Sequence, residues 1–136
     1  MRKSKVLFIG LGRLGFHMSS HLSKNKNIDL YIFNRSKNKL KLWSKNNKSF
    51  LYSDNINEKF DFIITCLKDD AAVHSVLTNK SLILNLSKNT IVIDHSTISI
   101  PQVIKLNSYF KKNNAYFMMH RFPAGKRVLK MQSFHL

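Results

Sequence analysis

Gly10, Gly12 and Gly15 stand within residues 5–15, KVLFIGLGRLG, directly behind the apolar run Val6, Leu7, Phe8 and Ile9. Beyond Phe16 the apolar residues are no longer continuous and take up a helical spacing. A glycine-x-glycine-x-x-glycine turn between a strand and a helix has the chemistry of pyrophosphate binding. The first glycine permits a tight turn, the second lets main-chain amides approach a phosphate, and the third lets the helix lie close to the strand. The helix N-terminus then faces the anion with partial positive charge and free N–H groups. A dinucleotide is the ligand this arrangement implies.

The second group with chemical content is Asn34-Arg35-Ser36. It lies about 20 residues past the glycines, where this architecture reads the adenosine ribose. An acidic side chain there would accept from a 2′-hydroxyl and repel a 2′-phosphate. Neutral Asn34, a guanidinium at Arg35 and a hydroxyl at Ser36 favour the phosphate instead, so NADP is expected in preference to NAD. Ser36 also suits a helix N-cap. Asp69 and Asp70 are adjacent carboxylates placed to cap a helix rather than to do acid–base work. His17 and His21 lie four apart on a helix, with no carboxylate or cysteine to complete a metal site, so they read as a solvated polar face. No metal site and no catalytic residue is assigned. Cys66 sits in an apolar run and reads as a buried, inert thiol.

Strands are expected at 5–9, 29–33, 50–52, 60–67, 90–93 and 115–118, and helices at 13–25, 37–45, 71–77 and 102–112. Leu14, Met18 and Leu22 share one face of the first helix, Leu40 and Trp43 point inward from the second, and Pro101 opens the last. FDFIITCL at 60–67 is apolar almost throughout, as a strand buried on both faces requires. Alternating strands and helices predict a Rossmann-type α/β fold, an open parallel sheet with helices on both faces. Ligands then sit beyond the carboxyl ends of the strands, where Leu67-Lys68 and Ser96-Thr97 fall.

At 136 residues and 43% hydrophobic content the chain suits one packed domain. No apolar run approaches a membrane span, and Val6–Leu11 is too short for a secretory signal. One cysteine fits a reducing compartment, so a cytoplasmic location is expected. The formal charge of +16 invites nucleic acid as a partner. However, the basic residues are scattered among asparagines, as A-rich codons would produce, and no zinc spacing, RNA-binding aromatic motif or helix-turn-helix accompanies them. The basic surface is better suited to drawing in an anionic cofactor. Two other classes stay open: a stand-alone NADP-binding regulatory module and a basic nucleic-acid binder.

The stretches FIGLGRLGFHMSSHL, YIFNRS, DFIITCLKDDAAVHSVL and TIVIDHSTIS, with Pro101 one residue further on, resemble in order and spacing the N-terminal domain of the β-hydroxyacid dehydrogenases. These include 3-hydroxyisobutyrate dehydrogenase, tartronate semialdehyde reductase and the glyoxylate/succinic semialdehyde reductases, relatives of 6-phosphogluconate dehydrogenase. The resemblance implies that Gly10, Leu11, Gly12, Arg13, Leu14 and Gly15 hold the pyrophosphate and Asn34, Arg35 and Ser36 the adenosine end. It implies that Leu67 and Lys68 lie along the cofactor and that Ser96 or Thr97 approaches the nicotinamide. Lys68 stands where the family often has Pro.

After its Tyr-Phe-Met strand the family reads Asp-Ala-Pro-Val-Ser-Gly-Gly, a substrate-binding motif; here the chain reads Met119-His-Arg-Phe-Pro-Ala-Gly125. Inserting one G after the first of the two ATG codons of Met118-Met119 forces Asp-Ala next, and the allowed codons then permit Pro-Val-Ser-Gly-Gly. Residues 1–118 are therefore expected to be the cofactor-binding domain, and residues 119–136 an out-of-frame tail. The family's all-helical second domain, with its catalytic lysine and subunit interface, is expected to be absent. The chain would then bind NADP(H) but not turn over the family's small 3-hydroxy acids or aldehyde acids.

Overall fold

The computed structural model describes residues 2–53, 56–120 and the backbone of 130–132. The elements in chain order are β1 (Ser4–Ile9), α1 (Arg13–Ser23), β2 (Ile28–Phe33), α2 (Lys37–Ser44), β3 (Phe50–Leu51), β4 (Phe60–Thr65), α3 (Asp70–Leu77), α4 (Lys80–Ile83), β5 (Leu86–Asp94), α5 (Ile100–Lys112), β6 (Tyr116–His120) and β7 (Lys130–Gln132). They form one sheet of order β3-β2-β1-β4-β5-β6-β7. The first six strands are parallel, with β1 aligned Val6 to Leu30 on one side and Val6 to Phe62 on the other. β7 closes the edge antiparallel to β6.

Period-2 alternation divides the core in two. Val6, Phe8, Leu30 and Ile32 face one side of the sheet with Trp43, and Phe16, Met18, Leu22 and Leu40 of α1 and α2 pack there. Leu7, Ile9, Ile63 and Val92 face the other side, against Val73 and Leu77 of α3, Leu82 of α4 and Val103, Leu106 and Phe110 of α5. Both sheet faces are thus covered by helices, as the continuous apolar strands require. Trp43 is fully buried in the core.

Polar side chains fix the element ends. The Ser36 hydroxyl accepts from the Lys39 N–H, the Asp69 carboxylate from Ala72, the Asn79 amide oxygen from Ser81 and the Ser99 hydroxyl from Gln102. Asp61, which breaks the apolar run of β4, accepts from the Lys5 N–H at 2.8 Å and pairs with both terminal nitrogens of Arg2. Asn85, buried ahead of β5, accepts from the Tyr52 hydroxyl at 2.7 Å and donates to the Ile56 and Glu58 carbonyls at 3.0 and 2.7 Å. Its own carbonyl accepts from the Phe60 N–H.

Several details differ from the sequence expectation. Leu14 does not join Met18 and Leu22 in the core: it is 41% exposed, because the close approach of α1 to the sheet is made by Gly15 and Ser19. α1 ends at Ser23, two residues early, where the Lys24 N–H turns back to His21. α4 has no counterpart in the expectation, and β5 begins at Leu86, four residues before Thr90. β6 spans 116–120, so it starts one residue late and takes in Met119 and His120 beyond the expected boundary.

Candidate functional site

The sheet order reverses at β1: the chain passes outward through β2 and β3, then crosses back to place β4 on the opposite side. The carboxyl ends of β1 and β4 therefore border the switch-point crevice where doubly wound sheets bind ligands. Gly10, Gly12 and Gly15 lie at its mouth, and each is a glycine for a different reason.

Gly10 has φ +109°, in the region that favours glycine, and a Cβ there would stand 2.2 Å from the Cys66 carbonyl oxygen. A Cβ on Gly15 would stand 2.0 Å from the Gly10 carbonyl oxygen. These two positions let α1 sit against the β1–β4 junction. A Cβ on Gly12 would meet nothing within 4 Å. Gly12 is the N-cap of α1, no side chain caps that end, and the first turn has no acidic residue. The helix start thus presents amides and open space together, which suits a diphosphate.

The loop is pinned from both flanks. The Gly10 N–H donates to the Phe33 carbonyl at 3.1 Å and the Leu11 N–H to Asn34 Oδ1 at 2.9 Å, while Asn34 Nδ2 donates to the Ser36 carbonyl at 3.0 Å. Asn34 therefore ties the glycine loop to the end of β2. Arg35 is exposed beside it, with no ion pair among the described residues. On the other flank the Cys66 N–H donates to the Ile9 carbonyl at 2.9 Å. Cys66 is half-buried; burial pushes its thiol up, so it stays protonated.

Leu67 and Lys68 follow β4, and Ser96 and Thr97 follow β5. Lys68 and Thr97 are exposed. Ser96 is only 2% exposed, and its Oγ accepts the Leu67 N–H at 2.7 Å. Asp94, fully buried, accepts from Thr65 Oγ1 at 2.7 Å and from the Ser96 N–H at 3.1 Å. Burial pushes the Asp94 carboxyl up, partly opposed by those donors. His95 lies 5.1 Å from His120 between ring centroids, and burial holds it down at about 4. Sequence spacing gave no sign of Asp94, because its partners lie on a neighbouring strand and on the loop that follows it. Among the described residues no group of three or more His, Cys, Asp or Glu could hold a metal ion, and no helix is long and apolar enough to cross a membrane.

A glycine turn, an uncapped helix start and a switch-point crevice define a dinucleotide-binding α/β domain. The chain belongs to the family of the NAD binding domain of 6-phosphogluconate dehydrogenase, which it matches over residues 5–120. Over 118 residues, 85% of this chain, it is 29% identical to an uncharacterized oxidoreductase of Shewanella frigidimarina strain NCIMB 400, covering 40% of that protein. Its fold is similar to the solved 3-hydroxyisobutyrate dehydrogenase of Mycobacterium tuberculosis with L-serine, at TM-score 0.75 and 17% identity, covering 90% of this chain and 42% of that one. It is also similar to an imine reductase of Myxococcus stipitatus in complex with NADP+, at TM-score 0.72 and 14% identity, covering 88% of this chain and 41% of that one. The chain spans about two fifths of the length of each.

Proposed function

We propose that this chain is the NADP(H)-binding part of an oxidoreductase that transfers hydride to or from a small 3-hydroxy acid or aldehyde acid. The observation that carries the reading is the open space over Gly12 at an uncapped helix start, between two glycines packed too tightly for any side chain. The family match and the oxidoreductase relative support it.

Bound there, the nicotinamide supplies or accepts the hydride. The chain's own residues bind and orient. The amides of Gly12, Arg13 and Leu14 at the uncapped helix start are offered to the diphosphate, and Asn34 holds the loop before them against the end of β2. Arg35 offers a bidentate guanidinium and Ser36 a hydroxyl to a 2′-phosphate, in place of the carboxylate that would refuse it. Leu67, Lys68 and Thr97 border the far half of the crevice. No side chain of this chain is assigned to proton transfer at the substrate, so the chain alone binds cofactor without turnover.

Fluorescence titration with NADPH and NADH at fixed ionic strength tests this. NADPH is expected to bind at least tenfold more tightly, a difference of about 1.4 kcal/mol. Equal affinities would overturn the NADP preference, absence of binding would overturn the cofactor reading, and steady-state reduction of glyoxylate or succinic semialdehyde would overturn the lack of turnover.

The mismatch after Met118 supports reading residues 119–136 as an out-of-frame continuation. The coding DNA tests that reading: one G added after the Met118 codon should open a frame that continues past Asp-Ala with Pro-Val-Ser-Gly-Gly. An early stop in that frame would sink it.

A further inference from the structure

Ser96 is placed by its chain position among the residues that approach the ligand, yet its side chain faces inward. Its Oγ accepts the Leu67 N–H at 2.7 Å, and its own N–H donates to Asp94 Oδ1 at 3.1 Å. Thr65 Oγ1 donates to the same Oδ1 at 2.7 Å. One buried carboxylate thus gathers the last residue of β4 and the turn after β5. Leu67 is the next link: a Cβ on Gly10 would stand 3.0 Å from Leu67 Cδ2, so this side chain lies against the glycine loop.

The sheet order assigns the two halves of the crevice. Residues 34–36, at the end of β2, lie on one side of the glycine loop, and the ends of β4 and β5 lie on the other. A dinucleotide with its adenosine at β2 and its diphosphate at residues 10–15 must run its second half past Leu67. We infer that Asp94 and Ser96 are positioning residues for that second half: they touch no ligand and act by holding the Leu67 amide, and with it the 67–68 strap, at one height above the crevice. The inference rests on the dinucleotide reading above. Between the Cys66 tie to Ile9 and the Asp70 tie to Ser99, the Ser96 bond is what holds the Leu67 amide against the turn after β5, so its loss loosens the 67–68 strap while the glycine loop keeps its own ties to Phe33 and Asn34.

The test compares two ligands on the full chain: NADPH, and adenosine 2′,5′-bisphosphate, which reaches only the adenosine side. Ser96→Ala should weaken NADPH at least tenfold and change the bisphosphate by less than twofold. Ser96→Thr, which keeps the hydroxyl, should restore NADPH to within about threefold of wild type. Asp94→Asn should act in the same direction as Ser96→Ala but less strongly. Equal weakening of both ligands by Ser96→Ala would mark a general structural role and overturn the inference, as would no weakening of either. A wild-type chain that binds neither ligand would remove the dinucleotide reading itself, a result distinct from the others. Hydrogen exchange on the wild-type chain gives a measurement that needs no variant. The Leu67 amide should be protected to the same order as the Cys66 amide, and exchange at the rate of a free loop would overturn the inference.

Discussion

Replacing Gly15 by alanine and Gly12 by valine should separate two roles that the motif leaves merged. The Gly15 Cβ would lie 2.0 Å from the Gly10 carbonyl oxygen, about 1.4 Å inside the 3.4 Å at which ordinary contact begins. The obstacle is backbone and cannot swing aside: Gly10 is held by its bond to Phe33, by φ +109° and by the Cys66 carbonyl beneath it. Relief requires α1 to move off the sheet. That movement would disturb Ser19, whose buried hydroxyl donates to the Gly15 carbonyl at 2.6 Å. Overpacking of this kind costs about 3 kcal/mol. With a urea m-value of about 2 kcal/mol/M the midpoint falls by about 1.5 M. Trp43, the sole tryptophan and fully buried, reports the transition by fluorescence. A Cβ at Gly12 meets nothing within 4 Å, and the backbone there at φ −70°, ψ −169° is ordinary for any residue, so Gly12→Val should lower stability by no more than about 1 kcal/mol. NADPH at 100 times its Kd should stabilise the wild-type chain by about 2.7 kcal/mol and leave Gly12→Val unaffected. Wild-type stability in Gly15→Ala, or a full NADPH shift in Gly12→Val, would refute the reasoning.

Three further outcomes are expected. Arg35→Glu should reduce NADPH affinity at least tenfold while leaving NADH affinity within threefold, read by the same titrations; a parallel loss of both would count against Arg35 as the 2′-phosphate contact. His95 is held down at about 4 by burial, so it favours folding fully above the unfolded value near 6.5 and loses that contribution as pH falls toward 4, by up to about 1.4 kcal/mol per pH unit. Asp94, pushed up by burial, acts in the opposite sense, but it is common to the wild type and His95→Gln; the difference between their unfolding free energies should therefore shrink from pH 7 to pH 4, and a constant difference would contradict the assignment. Asp69→Ala removes the bond to the Ala72 N–H at 2.8 Å and should lower stability by about 1 kcal/mol in urea titration.

The legible features were those that depend on neighbours in sequence. The apolar runs of β1 and β4, the glycine spacing, the caps at Ser36 and Asp69 and the inward Trp43 could be read because a short window contains their physical cause. Leu14 misled because its i, i+4, i+8 spacing with Met18 and Leu22 ignores how closely Gly15 brings the helix to the sheet. The start of β5 was hidden by Ser87, Lys88 and Asn89, which look like a loop. Asn89 takes φ 78°, and the pairing with β4 shifts register between Phe60 and Phe62. Asn34 and Ser96 were legible as positions in a site but not as the groups that hold it, since their partners Leu11 and Leu67 are 23 and 29 residues away.

Asn85 joins the connection before β4 to α4 and β5 through one side-chain amide. Tyr52, Ile56, Glu58 and Phe60 all fasten to that residue, and Glu58 is held as well by Lys5 and the Tyr31 hydroxyl. Cleavage beside Ile56 or Glu58 should therefore wait for Asn85 to let go, which couples exposure of this stretch to α4 and the foot of β5.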